Sequence, residues 1–349
     1  MMKRNYWPTK EWQTADPLTL GMEPGKLSAL ESTVKSGYSN ITGIVIIKNG
    51  YLAYERYFNG YGPDDPRHMA SVTKSVISAL IGIAIHAGPI QSVDQKVLDF
   101  FPEYHSDVAD GQKREITIRH LLTMTAPYPF EDWREPLEQL CKEPDWVKYT
   151  LDMLGQSGTI GVFKYSSAGA HLLSAIISRC TGKSAREFAN EHLFQALGMK
   201  VIPDRKMQAF GYDDLFGKNV KGWVQDPHGI STGGWGLTLT PRDMARFGFL
   251  YLNQGLWGNQ QIISEDWTRE STIPHSSARF GNLTAQYGYL WWLREGDGIS
   301  AYLAQGDGGN MICCIPGKDL VVAIASDFIP NPRDRWRLIT KDIIPAATE

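Results

Sequence analysis

A serine and a lysine stand three residues apart at Ser71-Val72-Thr73-Lys74, where an unusually apolar run begins. From Val72 to Ala87 that run carries Val76, Ile77, Ala79, Leu80, Ile81, Ile83, Ala84 and Ile85. It is apolar nearly all the way round, as a helix buried inside a core should be. Positions i and i+3 share a helix face. A helix start adds unpaired N–H groups and a partial positive charge, which favour a developing oxyanion. A lysine held there loses solvation, which favours the neutral amine, and a neutral amine can take a proton from the hydroxyl. The pattern predicts a nucleophile and its base on one helical turn.

Two other serines fit a nucleophile pattern and are set aside on context. Ser32-Thr33-Val34-Lys35 lies in the segment Pro24 to Gly37, where Leu27, Leu30 and Val34 alternate with Lys26, Glu31 and Lys35. That is an ordinary surface helix with a solvated lysine. Gly229-Ile230-Ser231-Thr232-Gly233 matches the Gly-x-Ser-x-Gly elbow, which needs a buried strand before it and a helix directly after. Gln225-Asp226-Pro227-His228 and Gly234-Trp235-Gly236 supply neither.

The chain of 349 residues carries a formal charge of −3 and no Lys/Arg-rich block, so nucleic acid is not an expected partner. The start, Met1-Met2-Lys3-Arg4-Asn5-Tyr6-Trp7-Pro8, lacks the apolar stretch of a signal peptide. The apolar run after Ser71 is short for a membrane span and is punctuated by Ser75, Ser78 and His86. Cys141, Cys180, Cys313 and Cys314 show no metal spacing and read as free thiols of a cytoplasmic protein. Cys313 and Cys314 are expected on opposite faces of a strand.

The elements that must position the Ser-Lys pair can be read in outline. Ile41 to Lys48 and Tyr51 to Phe58 form a hairpin about Asn49-Gly50, a type I′ signal. Helices are predicted over Thr117 to Thr125, Ala168 to Cys180 and Ser184 to Leu197, the last with a Ser184/Glu187 capping box and a Gly198 stop. Gly236 to Leu239 leads to a helix from Asp243 to Asn253, capped by Thr240 with Pro241 in its first turn. Strands follow at Tyr287 to Leu293, Gly309 to Ile315 and Asp319 to Ser326, then a helix from Ile329 to Ile344. Strands at both ends around a helical middle predict an antiparallel sheet with an inserted helical lobe.

The order of these parts resembles the serine β-lactamase, penicillin-binding-protein and esterase superfamily, in its class C-related branch of DD-peptidases, family VIII-type carboxylesterases and 6-aminohexanoate-dimer hydrolases. The resemblance runs from about residue 24 to 326. It rests on Ser71-Val72-Thr73-Lys74, the segment Ile116 to Thr125, Tyr165-Ser166-Ser167-Ala168-Gly169, Gly233-Gly234-Trp235-Gly236-Leu237 with Pro241-Arg242-Asp243, and Gly306-Asp307-Gly308-Gly309. It implies an α+β, β-lactamase/transpeptidase-like fold, with a sheet domain of residues 1–100 and 206–349 and a helical lobe of 101–205.

For the site, the resemblance implies a Ser71-Lys74-Tyr165 catalytic set and an acyl-enzyme on Ser71. Tyr165 opens the family's Tyr-x-Asn motif, with Ser167 where many members have Asn. Tyr38-Ser39-Asn40 and Tyr104-His105-Ser106 also fit that pattern, but Tyr38 precedes the nucleophile, against the family order. Ala304-Gln305-Gly306 aligns with the Lys-Thr-Gly motif and lacks its cation, which weakens the case for β-lactams. The amides of Ser71 and Asp307 are the implied oxyanion hole. Ser167, Gln305, Gly306 and Trp235 are the implied substrate contacts, and no metal or cofactor is called for. Tyr128, Phe130, Trp133, Trp223, Trp235, Trp291 and Trp292 are expected mostly in the core, with some lining an acyl or alcohol pocket. The expected activity is hydrolysis of a small-molecule ester or amide. β-Lactamase or DD-peptidase action, and a non-catalytic protein keeping the fold, are the alternatives.

Overall fold

The hairpin at Asn49-Gly50 forms as its residues dictate. In the computed structural model, which describes residues 4–347 apart from 105–110, 131–134, 208–213, 215–219, 281–282 and 297, β1 (Ile41–Lys48) turns into β2 (Tyr51–Tyr57). Asn49 and Gly50 have φ of 53° and 88°, the positive pair a type I′ turn requires. Of Tyr104-His105-Ser106, His105 and Ser106 lie outside the described residues, as does Trp133, while the Tyr104 hydroxyl donates to Asp152 Oδ1 at 2.9 Å.

A two-strand ribbon, β3 (Arg67–His68) with β4 (Thr238–Leu239), sits beside the start of α2 (Val72–Ala87). The main sheet is completed by β5 (Ser276–Phe280), β6 (Leu283–Tyr287), β7 (Trp292–Gly296), β8 (Ile299–Gly306), β9 (Asn310–Ile315) and β10 (Leu320–Ser326). Its order is β2-β1-β10-β9-β8-β7-β6-β5, antiparallel throughout. The first and last strands in sequence are neighbours, with Ile44 opposite Ile324 and Ile41 opposite Ser326.

Alternation along these strands builds two cores. Val45, Ile47, Cys314, Val321 and Ala323 face α2 and the helix Pro241–Leu252. Ile44, Ile46, Cys313, Val322 and Ile324 face α1 (Pro24–Gly37) and the C-terminal residues Leu338, Ile339 and Ile343. The two neighbouring cysteines thus lie on opposite faces of β9, and all four cysteines are free. Among the described residues no helix is long and apolar enough to cross a membrane.

Between residues 97 and 194 the described elements are all helical, among them α3 (Ile118–Leu122) and α4 (Ser167–Thr181). Four predicted elements differ. The helix expected over Thr117 to Thr125 ends at Leu122, and Met124 beyond it takes φ 56°. The helix from Ser184 keeps its capping box but runs as an α-helix only over Ala185–Ala189, then widens into a π-helical turn, Asn190–Phe194. The expected strand Tyr287 to Leu293 is broken: β6 ends at Tyr287, β7 starts at Trp292, and Leu290 between them has φ 61°. That break lets the Leu290 amide donate to the Leu122 carbonyl while its own carbonyl accepts from Ser75 Oγ. The terminal helix α5 begins only at Arg335 (Arg335–Leu338), because Pro330 and Pro332 disfavour helix before it and Asp334 caps it.

Candidate active site

The nucleophile candidate sits on a tight turn at the mouth of α2. Ala70 takes φ 46°, a left-handed conformation that costs an L-residue about 1 kcal/mol. The Thr73 amide and hydroxyl both donate to the Ala70 carbonyl, which fixes the turn. Ser71 is half-buried, while Lys74, one turn on, is 1% exposed. Helical spacing puts both on one face, and Lys74 Nζ lies 3.0 Å from Ser71 Oγ.

Two further oxygens hold the amine. Lys74 Nζ is 2.8 Å from Ser167 Oγ and 2.8 Å from the Gly234 carbonyl oxygen. Ser167 is the first residue of α4, whose cap is Ser166 accepting from the Gly169 amide. Gly233 and Gly234 lie against that first turn. A Cβ on Gly233 would come within 1.9 Å of the Ala170 carbonyl oxygen, and one on Gly234 within 2.6 Å of Ser167 Cβ. Only glycine allows the approach that brings the Gly234 carbonyl to Lys74.

The Tyr165 ring covers the amine, with Nζ 4.6 Å from its centroid. It stacks on Trp292 at 5.9 Å and meets Tyr287 edge-on at 6.4 Å, while Phe163 packs on the same pair. The half-buried rings of Phe163, Tyr165 and Trp292, backed by the buried Tyr287, form an aromatic wall beside Ser71 and Lys74. Tyr128, Trp223 and Trp291 are fully buried core residues, and Trp235, 7% exposed, packs against Trp146.

The end of β8 closes the other side. A Cβ on Gly306 would stand 2.3 Å from the Met69 carbonyl oxygen and 3.1 Å from the Ser71 amide nitrogen. The strand end therefore abuts the nucleophile turn. Ala304 faces the α2 side of the sheet; Gln305, half-buried, follows it on the strand and projects from the opposite face. Asp307 is exposed at the start of the turn Asp307–Gly309.

The competing serines are placed elsewhere. Ser231 is 2% exposed and its Oγ accepts from the Arg186 amide at 3.1 Å. Ser32 lies exposed on α1, and Lys35 pairs with Glu31. Tyr38 is buried under Arg333 and Arg335. Among the described residues no cluster of three or more His, Cys, Asp or Glu side chains is arranged for a metal ion.

Two buried pairs that sequence reasoning missed support the loop carrying Gly234. His171 Nε2 lies 3.2 Å from Asp226 Oδ2, and Asp226 Oδ1 accepts the His228 and Ile230 amides. Burial alone would raise the Asp226 carboxyl, but His171 and these amides hold it below the usual carboxylate range. His68 Nε2 accepts the Gly236 amide at 3.0 Å. Burial, reinforced by the Arg205 and Arg67 cations, pushes the His68 pKa down to about 3.

That shift has a sign. Unfolded, His68 takes a proton near pH 6.5; folded, it refuses one until about pH 3. Between those values the unfolded state binds the extra proton, so stability falls as pH falls, by up to about 5 kcal/mol. His68→Gln offers an acceptor without titrating. Urea midpoints at pH 7 and pH 4 should drop markedly more for the wild type than for the variant; equal drops would remove His68 as the cause.

The sheet-and-helix frame, with a buried lysine one turn after a serine, defines a class. The chain belongs to the beta-lactamase family, whose model matches residues 34–340, and is a hydrolase of that family. It is similar to the 6-aminohexanoate-dimer hydrolase of Paenarthrobacter ureafaciens, at 24% identity over 97% of this chain and 86% of that one. Solved structures of the same fold include a Bacillus anthracis protein provisionally named a 6-aminohexanoate-dimer hydrolase (TM-score 0.75, 22% identity, 98% of this chain and 89% of that one). A class C beta lactamase from Rhodobacter sphaeroides is another (TM-score 0.66, 17% identity, 92% and 99%).

Proposed function

We propose that this hydrolase cleaves a linear amide or a short ester through an acyl-enzyme on Ser71. One observation carries the reading: Lys74 Nζ is buried among three uncharged oxygens, with Ser71 Oγ at 3.0 Å, and such burial favours the neutral amine. Such an amine has two hydrogens and one lone pair. The Gly234 carbonyl can only accept, and Ser167 Oγ can accept, so these two take the hydrogens. The lone pair is left for Ser71, 3.0 Å away.

In this reading Lys74 takes the Ser71 proton as the oxygen attacks the substrate carbonyl. The amides of Ser71 and Asp307 stabilise the oxyanion. The C–N or C–O bond then breaks, and the leaving group departs with a proton relayed by Lys74 and Tyr165. Water attacks the acyl group, gives up a proton to the same pair, and releases the acid while Ser71 regains its hydrogen. The cleft lies between the sheet unit, residues 1–100 with 206–349, and the helical lobe, 101–205. The four free thiols suit a reducing compartment, and the cytoplasm is the proposed location.

Linear substrates are favoured over β-lactams on two grounds. The Ala304-Gln305-Gly306 strand offers no cation for a substrate carboxylate. The relative from Paenarthrobacter ureafaciens bears the name of an amide-dimer hydrolase. Gly306, whose backbone abuts the Ser71 turn, and Trp235 remain the proposed substrate contacts, with the aromatic wall of Phe163, Tyr165 and Trp292 beside them; Gln305, expected among them, projects from the opposite face of the strand and is set aside.

The test is a panel of p-nitrophenyl esters, a 6-aminohexanoate dimer and a chromogenic cephalosporin on wild type and Ser71→Ala. The best ester or the amide should exceed the cephalosporin, Ser71→Ala should be inactive, and a fluorophosphonate should label Ser71. Tyr165→Phe should retain the label but turn over about 100-fold more slowly. Label on Ser231, or one equivalent of product with no turnover in the wild type, would sink the reading. Cephalosporin turnover above the best ester would make the chain a β-lactamase.

A further inference from the structure

The turn Asp307–Gly309, which follows the cleft strand β8, is gripped by buried side chains at each of its carbonyls. Asn310 Nδ2 donates to the Asp307 oxygen at 2.9 Å. Asn40 Nδ2 donates to the Gly308 oxygen at 2.7 Å, and Arg335 Nη2 adds a longer bond at 3.2 Å. Ser326 Oγ reaches the Gly309 oxygen at 3.4 Å. All four side chains are at least nine-tenths buried. They come from four places in the chain: the residue before β1, the first of β9, the last of β10 and the first of α5.

Arg335 organises this set. Its Nη2 donates to Asn40 Oδ1 at 2.6 Å, and because a guanidinium can only donate, the Asn40 oxygen must face it. The Asn40 amide nitrogen is thereby turned toward the carbonyls of Gly308 and Asp327, at 2.7 Å each. The guanidinium also packs onto Gly309, where an added Cβ would stand 2.6 Å from Nε. Arg335 is 2% exposed, and the hydrogen bonds it makes among the described residues run to neutral oxygens of Arg333, Asn40, Gly308 and Ser326. Burial draws its pKa down to about 10, so it stays charged at neutral pH. A buried charge held by neutral groups is a costly way to stabilise a fold, since a well-packed apolar side chain of similar volume does as well or better.

We propose that Arg335 and Asn40 are positioning residues for catalysis: they lock the Asp307–Gly309 turn so that the Asp307 amide stays aimed at the oxyanion. This rests on the reading of Ser71 as the nucleophile. Neither side chain touches substrate. Their effect is on the rate of acylation, because a misplaced donor fails where charge develops while ground-state binding is little changed.

The experiment separates this role from a merely structural one with two variants, Arg335→Met and Asn40→Asp. The aspartate gives Arg335 a counter-charge but places an acceptor opposite the Gly308 and Asp327 oxygens. At a temperature where circular dichroism shows it folded, Asn40→Asp should slow single-turnover acylation by a p-nitrophenyl ester about 10- to 100-fold, with KM within about twofold. Arg335→Met should slow acylation similarly at a temperature where circular dichroism shows it folded. Ile343→Ala, which weakens the same C-terminal layer away from the turn, should lower Tm and leave the acylation rate of folded enzyme unchanged. Should Arg335→Met fail to fold, Asn40→Asp alone decides. Wild-type acylation rates in Asn40→Asp would overturn the proposal. A wild-type enzyme never acylated at Ser71 would instead overturn the reading beneath it.

Discussion

Lys74→Met is expected to lower kcat/KM for the best ester by about 10³- to 10⁴-fold, the contribution of a well-placed general base. Methionine fills much of the same volume but has no lone pair that can take the Ser71 proton and no hydrogens for Ser167 Oγ and the Gly234 carbonyl. Stability should move much less. Removing a 1%-exposed amine relieves its desolvation, while leaving the Gly234 carbonyl without a donor costs about 1–3 kcal/mol. Activity and stability should therefore part ways, which thermal melts and initial rates on one preparation will show. A variant that melts like the wild type and keeps more than a tenth of its activity would mean that some other group activates Ser71. Fluorophosphonate labelling should slow along with turnover, because both need Ser71 to lose its proton as it attacks.

Gly306→Ala is expected to cost about 10²- to 10³-fold in kcat, as loss of one oxyanion donor does. One methyl group suffices because its neighbours cannot swing aside: the Met69 carbonyl oxygen at 2.3 Å, the Ser71 amide nitrogen at 3.1 Å and the Ala70 Cβ at 3.1 Å. No side chain can rotate away to relieve that contact. Either the end of β8 or the turn at Ala70 must shift, and each carries one of the two proposed oxyanion amides. The strain should also cost about 1–3 kcal/mol of stability, as overpacking does. Single-turnover acylation measured beside the melting temperature checks both numbers. Acylation of the Gly306→Ala variant at the wild-type rate would show that β8 and the nucleophile turn need not meet so closely.

What could be read in the sequence was what local chemistry encodes. Ser71 and Lys74 share one helical turn, so spacing alone brings them together, and the I′ turn at Asn49-Gly50 is written in two residues. Ser167 was expected among the substrate contacts, and the structure puts its hydroxyl on Lys74. The third neighbour of Lys74 is a main-chain carbonyl, which has no residue signature; the Gly233-Gly234 pair was the only hint of a close approach. His68, His171, Asn40 and Arg335 were missed because their roles depend on burial, which strands distant in sequence create together. Tyr287 to Leu293 read as one strand because its residues are large and apolar, but Tyr289, Leu290 and Trp291 turn into the core instead of extending the ladder. The last helix was expected too early because apolar spacing outvoted Pro330 and Pro332.

The pairing of β1 with β10 also bears on when the enzyme can exist. The wall beneath the nucleophile helix joins residue 41 to residue 326, so nearly the whole chain must be made before it closes. Closing a flexible loop of that length costs about 5 kcal/mol in chain entropy, less whatever structure forms inside the loop beforehand. During synthesis the β1–β2 hairpin waits with one edge bare, while the apolar run from Val72 has no floor to rest on. Long-range pairing of this kind folds slowly and exposes strand edges meanwhile. A ribosome-bound chain stopped short of β10 should thus hold its serine and lysine one turn apart in sequence and still be unable to bring a second amide to the oxyanion.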